Sequence, residues 1–165
     1  AFEQAESEAR KKINELLAIK GAHTVDYFHK KLGKILYDYC GLARNKEGLT
    51  FAIAEITKLR ASFYKEVNIP GTMDHMNSEL EKAGRVADYF EIGILMCYDA
   101  LTRDESCGAH FREEYQTADG EAERNDVDFQ FISAWQWPGS VEEQAILNKE
   151  ELVFEFIQPT IRSYK

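Results

Sequence analysis

The sequence has 165 residues, 44% of them apolar and 30% charged, a composition that is typical of one globular domain and excludes a disordered or fibrous chain. The net charge of −9 lies in residues 104–165, with 14 acidic and 5 basic residues, whereas residues 1–103 hold 15 of each. An acidic surface repels phosphates, so no nucleic-acid partner is expected. The acidic charge either serves solvation alone or attracts a basic partner.

Apolar positions in the first hundred residues recur at alternating steps of three and four, which places them on one side of a helix. A first helix is predicted near residues 3–19, and Thr24 is a good N-cap for the second. Asn68-Ile69-Pro70-Gly71 is the clearest break in the chain. The residues expected in the core are Ala9, Ile13, Leu16, Val25, Phe28, Leu32, Ile35, Tyr39, Leu42, Leu49, Ala52, Ile56, Leu59, Phe63, Leu80, Ala83, Ala87, Phe90, Ile94, Cys97 and Leu101.

Short connections between these helices favour antiparallel neighbours that pack at shallow angles. We therefore predict a mainly α fold, with an antiparallel three- to four-helix bundle like a spectrin repeat over residues 1–103 and a C-terminal extension over residues 104–165. Cys40 and Cys97 lie on or beside the core stripes and are expected to be small buried groups. With Cys107 they are three widely spaced cysteines, which indicates a reducing compartment and not a disulfide framework.

The extension has a different pattern from the bundle. Residues 113–128 are acidic, contain little to bury and are predicted to be loop. Aromatic residues then alternate with other residues along 129–137, and a similar alternation follows at 152–157. We expect these two segments to pair as a short antiparallel β-ribbon around Pro138-Gly139. Because an isolated ribbon is marginal in water, its aromatic face should lie on the bundle or on a partner.

The common catalytic and metal-binding motifs are absent from the sequence. It contains no glycine-rich phosphate loop, no H-E-x-x-H and no C-x-x-C. Residues 119–123 lack the spacing of a calcium loop, and the single Asp26-x-x-His29 cannot supply the two inward pairs of a di-iron bundle. His23 and His75 are expected to cap or solvate helix ends. We therefore predict no catalytic, cofactor-binding or metal-binding residue.

The most informative segment is 102–115, which follows the longest predicted helix and combines charged residues with a Gly-Ala pair. In one interpretation Gly108 ends the helix and the charges are solvated. In the other, this segment meets another domain. Gly108 and Ala109 would then permit close backbone approach, and Arg103 or Arg112 would pair with carboxylates across the contact.

This segment resembles the signature of the flavoproteins of succinate dehydrogenase, fumarate reductase and L-aspartate oxidase, R-x-E-S-R-G-A-H-x-R-x-D-Y. Cys107 replaces the usual arginine, so it cannot make the ion pair that arginine could, and Glu114 replaces the usual aspartate. Residues 39–49, 76–80 and 125–126, and the ending Arg162-Ser163-Tyr164, are also similar to the family. The matching residues, predicted to form an interdomain motif, are Arg103, Glu105, Ser106, Gly108, Ala109, His110, Arg112 and Tyr115.

The resemblance implies a non-catalytic C-terminal helical domain of an FAD-dependent flavoprotein subunit that interconverts succinate and fumarate. It also implies FAD in the full-length subunit and none in this fragment, which would be inactive alone. The implied partners are the FAD-binding and capping domains of the same chain, an iron–sulfur subunit and a membrane anchor subunit. The implied location is the cytoplasmic side of the bacterial inner membrane, as part of a membrane-bound complex, with the fragment itself soluble.

Two other interpretations stay open. The chain could be the same domain of an L-aspartate oxidase, although the long acidic and aromatic tail disfavours it. It could also be a stand-alone helical adaptor with an aromatic docking ribbon. The first residue is alanine and not methionine, as expected of a fragment cut from a longer chain.

Overall fold

The computed structural model describes residues 1–139 and 143–160, so the ending Arg162-Ser163-Tyr164 lies outside the described part. The prediction of a mainly α bundle with a short β-ribbon is confirmed. The helices are α1 (Phe2–Ala18), α2 (Val25–Tyr39), α3 (Lys46–Glu66), α4 (Ser78–Thr102) and α5 (Asp126–Phe129). The strands are β1 (His23–Thr24), β2 (Ala43–Arg44), β3 (Val67–Asn68), β4 (Phe111–Arg112), β5 (Phe131–Gln136) and β6 (Ile146–Glu151).

The chain forms two compact units. One contains Ala1–Asp38 and Ala52–Ile94, and the other contains Tyr39–Phe51 with the described residues from Leu95 onward. The predicted division at residue 103 stays a prediction about domain organisation. Among the described residues, no helix is both long enough and apolar enough to cross a membrane.

The core of the first unit is built around three phenylalanine rings from α2, α3 and α4. The ring of Phe63 lies 5.2 Å from that of Phe28 and 5.5 Å from that of Phe90, in edge-on geometries that aromatic rings favour. All three are fully buried, as the helical spacing predicted. The neighbouring buried residues are Val25, Leu32, Ala52, Ile56, Val67, Ile69, Ala83 and Val86.

Two short features hold the start of α2 in this unit. The Thr24 hydroxyl accepts a hydrogen bond from the Tyr27 N–H at 3.3 Å, which confirms Thr24 as an N-cap. β1 runs parallel to β3, with His23 opposite Val67. Gly21 packs directly against the backbone of Glu66, because a Cβ at this glycine would lie 1.9 Å from the Glu66 carbonyl oxygen. Gly21 is therefore required for a close backbone contact and does more than end a helix.

Four of the predicted core positions are wrong. No residue of α1 is buried, so the stripe of Ala9, Ile13 and Leu16 is not core. Leu42 is 81% exposed because α2 ends at Tyr39, and helical spacing no longer determines which way the chain faces beyond that residue. Periodicity identifies a helix with an apolar side, but it cannot say whether anything covers that side.

The ribbon of the second unit consists of β5 and β6, which are antiparallel with Phe131 opposite Glu151 and Gln136 opposite Ile146. The prediction of residues 152–157 as the second strand is therefore wrong, since the strand is Ile146–Glu151. Within residues 1–139 and 143–160, no strand pairs with the aromatic alternation at 152–157, and most of this stretch is exposed. Residues 113–128, predicted to be loop, contain turns and the first residues of α5.

Replacement of Phe63 by alanine should lower the free energy of unfolding by about 3–5 kcal/mol, because the cavity would open between Phe28 and Phe90. Phe2 is 94% exposed and provides the matched control, for which alanine should change the free energy by less than about 0.5 kcal/mol. Urea unfolding measures both values. Equal losses for the two variants would contradict this packing.

Candidate functional site

The Gly-Ala pair of the predicted motif forms the apex of a tight turn. Cys107 and His110 exchange backbone hydrogen bonds, with the Cys107 N–H donating at 2.8 Å and the His110 N–H at 3.1 Å. Gly108 has a φ of +60°, a conformation that glycine adopts readily, and a Cβ there would meet nothing within 4 Å. Cys107, Gly108 and Ala109 are exposed. Gly108 thus shapes this turn and does not end α4, which stops at Thr102.

The base of the turn is held by two buried polar residues. The Glu105 carboxylate, with its side chain 3% exposed, accepts hydrogen bonds from Arg103 Nη1 at 2.7 Å and from the Asn125 N–H at 2.9 Å. The Ser106 hydroxyl accepts from the Arg112 N–H at 2.8 Å and donates to the Arg112 carbonyl at 3.1 Å. The two sides of the turn are therefore tied together beneath its apex.

Arg112 is buried at the C-terminal end of α4, with its side chain 1% exposed. Its Nη1 donates to the carbonyl oxygens of Ala100 at 2.9 Å and Leu101 at 3.3 Å. The last carbonyls of a helix have no partner within the helix and carry partial negative charge, so a guanidinium both pairs with them and balances the dipole. Its charge is further balanced by two carboxylates. Glu114 Oε2 lies 3.1 Å from Nε, and Asp104 Oδ1 lies 3.5 Å from Nη1.

Glu114 connects this cation to the start of another helix. Its other carboxylate oxygen accepts a hydrogen bond from the backbone N–H of Lys46, the first residue of α3. The Asn45 side chain accepts a second N–H of the same helix end, that of Gly48, at 2.8 Å. Burial raises the pKa of Glu114, but the hydrogen bonds from Lys46 and Arg112 outweigh it and hold that pKa below its usual value.

Arg103 links the motif to β5. Its guanidinium donates to the carbonyl oxygens of Phe129 at 3.0 Å and Phe131 at 3.1 Å, in addition to Glu105. It also lies over the ring of Phe131, 4.9 Å from the centroid. Arg103 and Arg112 therefore both have partners within this chain. The exposed part of the motif is the apex, and its contact with another domain stays a prediction.

His110 and Tyr115 complete the site. The Nε2 of His110 lies 2.9 Å from the carbonyl oxygen of Arg103, and because a carbonyl only accepts, this nitrogen carries the proton. Partial burial lowers the pKa of His110, and the positive charges of Arg44 and Arg112 lower it further. The hydrogen bond to the Arg103 carbonyl opposes this shift. The ring of Tyr115 lies 5.3 Å from the Arg112 guanidinium. All eight predicted residues thus lie around one turn.

Several residues of the site were missing from the sequence prediction. Asn45 and Glu114 cap α3, and Asn125 supplies a backbone N–H to Glu105 while its side chain caps α5. The Asn residue just before each helix was the only local signal. The buried donors and acceptors of the motif satisfy one another within the chain. The described residues hold no cluster of His, Cys, Asp or Glu that could bind a metal ion.

Replacing Arg112 by methionine should cost roughly 3–5 kcal/mol of unfolding free energy, because the buried carbonyls of Ala100 and Leu101 and the Glu114 carboxylate would lose their partner. Arg85→Met is the matched control, since Arg85 is 65% exposed and forms its ion pair with Glu81 one helical turn away. That variant should lose less than about 1 kcal/mol. Denaturant titration at neutral pH compares the two, and similar losses would refute the role of Arg112.

Replacing His110 by glutamine should make stability less dependent on pH. The pKa of His110 is lower in the folded chain than its ordinary value of 6.5, so the unfolded chain binds more protons as the pH falls through about 6.5. The wild type should therefore lose stability from pH 7.5 to pH 5.5 faster than His110→Gln, whose amide can still donate to Arg103. Unfolding free energies across that range test this, and parallel curves would count against it.

Comparison with known proteins identifies the family. A family described as "Fumarate reductase flavoprotein C-term" matches residues 29–164. An uncharacterized FAD-dependent oxidoreductase of Methanocaldococcus jannaschii is 31% identical, over 67% of this chain and 20% of its own length. The fumarate reductase flavoprotein subunit of Helicobacter pylori is 27% identical, over 95% of this chain and 21% of its own length. The chain spans about a fifth of the length of these relatives.

A solved structure has the same fold. The chain superposes on a quinol-fumarate reductase, solved with menaquinol molecules, with a TM-score of 0.79 at 21% identity. The superposition covers 97% of this chain and 26% of the other. With the family match over residues 29–164, most of the sequence is accounted for, and the chain belongs to the family of fumarate reductase flavoprotein C-terminal domains.

Proposed function

We propose that this chain supports the flavin-binding part of a succinate dehydrogenase or fumarate reductase flavoprotein subunit and supplies no catalytic residue itself. Support comes from the family match and from relatives that are about four times the length of this chain or more and are named flavoproteins. The polar side chains of the motif are engaged with one another in the folded chain, as suits a structural part. The full-length protein would carry FAD and interconvert succinate and fumarate.

The observation that carries this proposal is the contrast between the exposed apex of the motif and its fixed base. Cys107, Gly108 and Ala109 have no bulky side chain and face solvent, while Glu105, Ser106 and Arg112 beneath them are buried. A small, firmly held and exposed turn suits close contact with another backbone. In this proposal the buried residues of the motif hold the turn in place, and the exposed apex contacts another domain.

Leu42 extends the proposed contact surface. β2 runs parallel to β4 with Ala43 opposite Phe111, so Leu42 precedes that pair on one strand and His110 precedes it on the other. Leu42 is 81% exposed and places a large apolar side chain beside the turn. An apolar side chain next to a small-residue turn is a combination that a packed protein partner can cover. The flavin-binding and capping parts of the same polypeptide would be that partner.

The wider assembly follows from the same proposal. The solved structures that share this fold include a quinol-fumarate reductase and Mycobacterium smegmatis Sdh1. For this protein we propose an iron–sulfur subunit and a membrane anchor subunit as further partners of the full-length chain. The complex would lie on the cytoplasmic side of the bacterial inner membrane.

Tryptophan at Ala109 in the full-length protein should reduce bound flavin and fumarate reduction by about tenfold or more, which corresponds to about 1.4 kcal/mol of lost interaction. The bulky ring would block the close contact at the apex while leaving the buried frame intact. Flavin absorbance per protein and viologen-coupled fumarate reduction give the two readouts.

Ala118→Trp is the matched control, since Ala118 is also exposed and lies in a turn of the same unit. It should change both readouts by less than about twofold. If Ala109→Trp behaves like this control, the apex is not the contact. If the purified 165-residue chain itself bound flavin or reduced fumarate, the supporting role would be wrong.

A further inference from the structure

We propose that Arg44 forms an ion pair with an aspartate or glutamate in the flavin-binding part of the same polypeptide. This pairing rests on the proposed function, and it names the chemistry that the partner surface supplies at one point. Arg44 is the last residue of β2, in the second unit, and lies opposite Arg112 of β4.

Arg44 differs from the other arginines of the second unit in having no acidic partner. Arg103, Arg112 and Arg124 each form an ion pair with a carboxylate, at distances between 2.7 and 3.1 Å. Within residues 1–139 and 143–160, Arg44 forms no ion pair. The sequence suggested Arg103 or Arg112 as the arginine that meets another domain, and both are engaged inside this chain. Arg44 is the arginine that remains available for that role.

One nitrogen of the Arg44 guanidinium is fixed, and the other two are available. Nε donates to the Gly41 carbonyl at 3.0 Å, so the side chain turns back along the chain. Nη1 and Nη2 have no acceptor among the described residues, and they are not among the buried unpaired atoms there, so both reach solvent. Because the guanidinium is planar, the bond from Nε also orients Nη1 and Nη2. These two nitrogens form a fork that matches both oxygens of one carboxylate.

The acidic residue beside Arg44 on the neighbouring strand points elsewhere. The Glu113 N–H donates to the Arg44 carbonyl at 2.9 Å, which brings the two backbones together. The Glu113 carboxylate, however, accepts a hydrogen bond from the Asn45 side chain. A carboxylate for Arg44 therefore has to come from outside the described residues.

Arg44 lies next to the surface that we expect the partner to cover. β2 and β4 are parallel, so the strand that carries Arg44 leads back to exposed Leu42, and its neighbour leads back to His110 and the turn. The bond to Gly41 directs the guanidinium toward this end of the strands. A partner that covers Leu42 and the turn also removes water from Arg44.

A carboxylate is the group that balances this cation once water is removed. A guanidinium stays protonated in proteins, and a charge that is buried without a partner is strongly destabilising. A neutral carbonyl would leave that charge unbalanced. This chain covers only about a fifth of its relatives' length, so most of a longer polypeptide is available to carry the carboxylate.

Replacement of Arg44 by lysine in the full-length protein provides the test, because a carbodiimide condenses an amine with a carboxylate that contacts it. The new amide forms with loss of one water. We expect peptide mass spectrometry to find position 44 linked to an aspartate or glutamate outside these 165 residues. Arg85→Lys is the matched control, and its amine should link to Glu81 in the same helix.

A charge exchange then measures the pair. Arg44→Glu in the full-length protein should lower bound flavin about tenfold, because two carboxylates would meet in the contact. Arginine in place of the linked carboxylate residue, combined with Arg44→Glu, should restore most of the bound flavin. A merely structural role of Arg44 predicts no such restoration.

The pairing is overturned if position 44 links only to carboxylates of these 165 residues, or to none, while the Arg85→Lys control links to Glu81. It is also overturned if the charge exchange restores nothing, as expected if the partner were the flavin phosphate. If Ala109→Trp still loses flavin in these cases, the proposed supporting contact stands without Arg44. If Ala109→Trp keeps its flavin, that contact is wrong as well.

Discussion

A single buried guanidinium at the end of α4 holds the second unit together. Arg112 donates to the carbonyls of Ala100 and Leu101, and Glu114 then connects its charge to the first N–H of α3. Cation and carboxylate thus meet the negative and positive ends of two helices, and the buried cation would be costly without the carboxylate that balances its charge. The position of the exposed turn depends on this pair, because Ser106 holds both backbone polar groups of Arg112.

The signature shared with the flavoprotein family therefore contains two kinds of residue. Glu105, Ser106 and Arg112 are buried and build the frame, whereas Gly108 and Ala109 are exposed at its apex. A spacing pattern cannot separate these roles, because charged residues in a row look like a solvated surface or an ion-pairing surface until their partners are known. Burial distinguishes the two roles, since a fully buried arginine donates its hydrogen bonds to groups of its own chain.

The residues shared with the family indicate more about function than the helical periodicity does. The internal hydrogen bonding of the polar frame supports the role proposed above, that of a supporting part. The chemistry would then lie in the remaining four fifths of a longer flavoprotein.

The sequence by itself determined the features that depend on near neighbours: the helices, the Thr24 cap, the phenylalanine core and the existence of a ribbon. These features follow from apolar residues spaced two, three or four positions apart, and such spacings involve only near neighbours in the sequence. Only the tertiary structure decided that α1 is uncovered, that Leu42 is exposed and that β5 pairs with Ile146–Glu151. It also decided the partners of Arg112. Each of these depends on which distant segment supplies a surface or a hydrogen-bonding group, and local periodicity carries no information about distant partners.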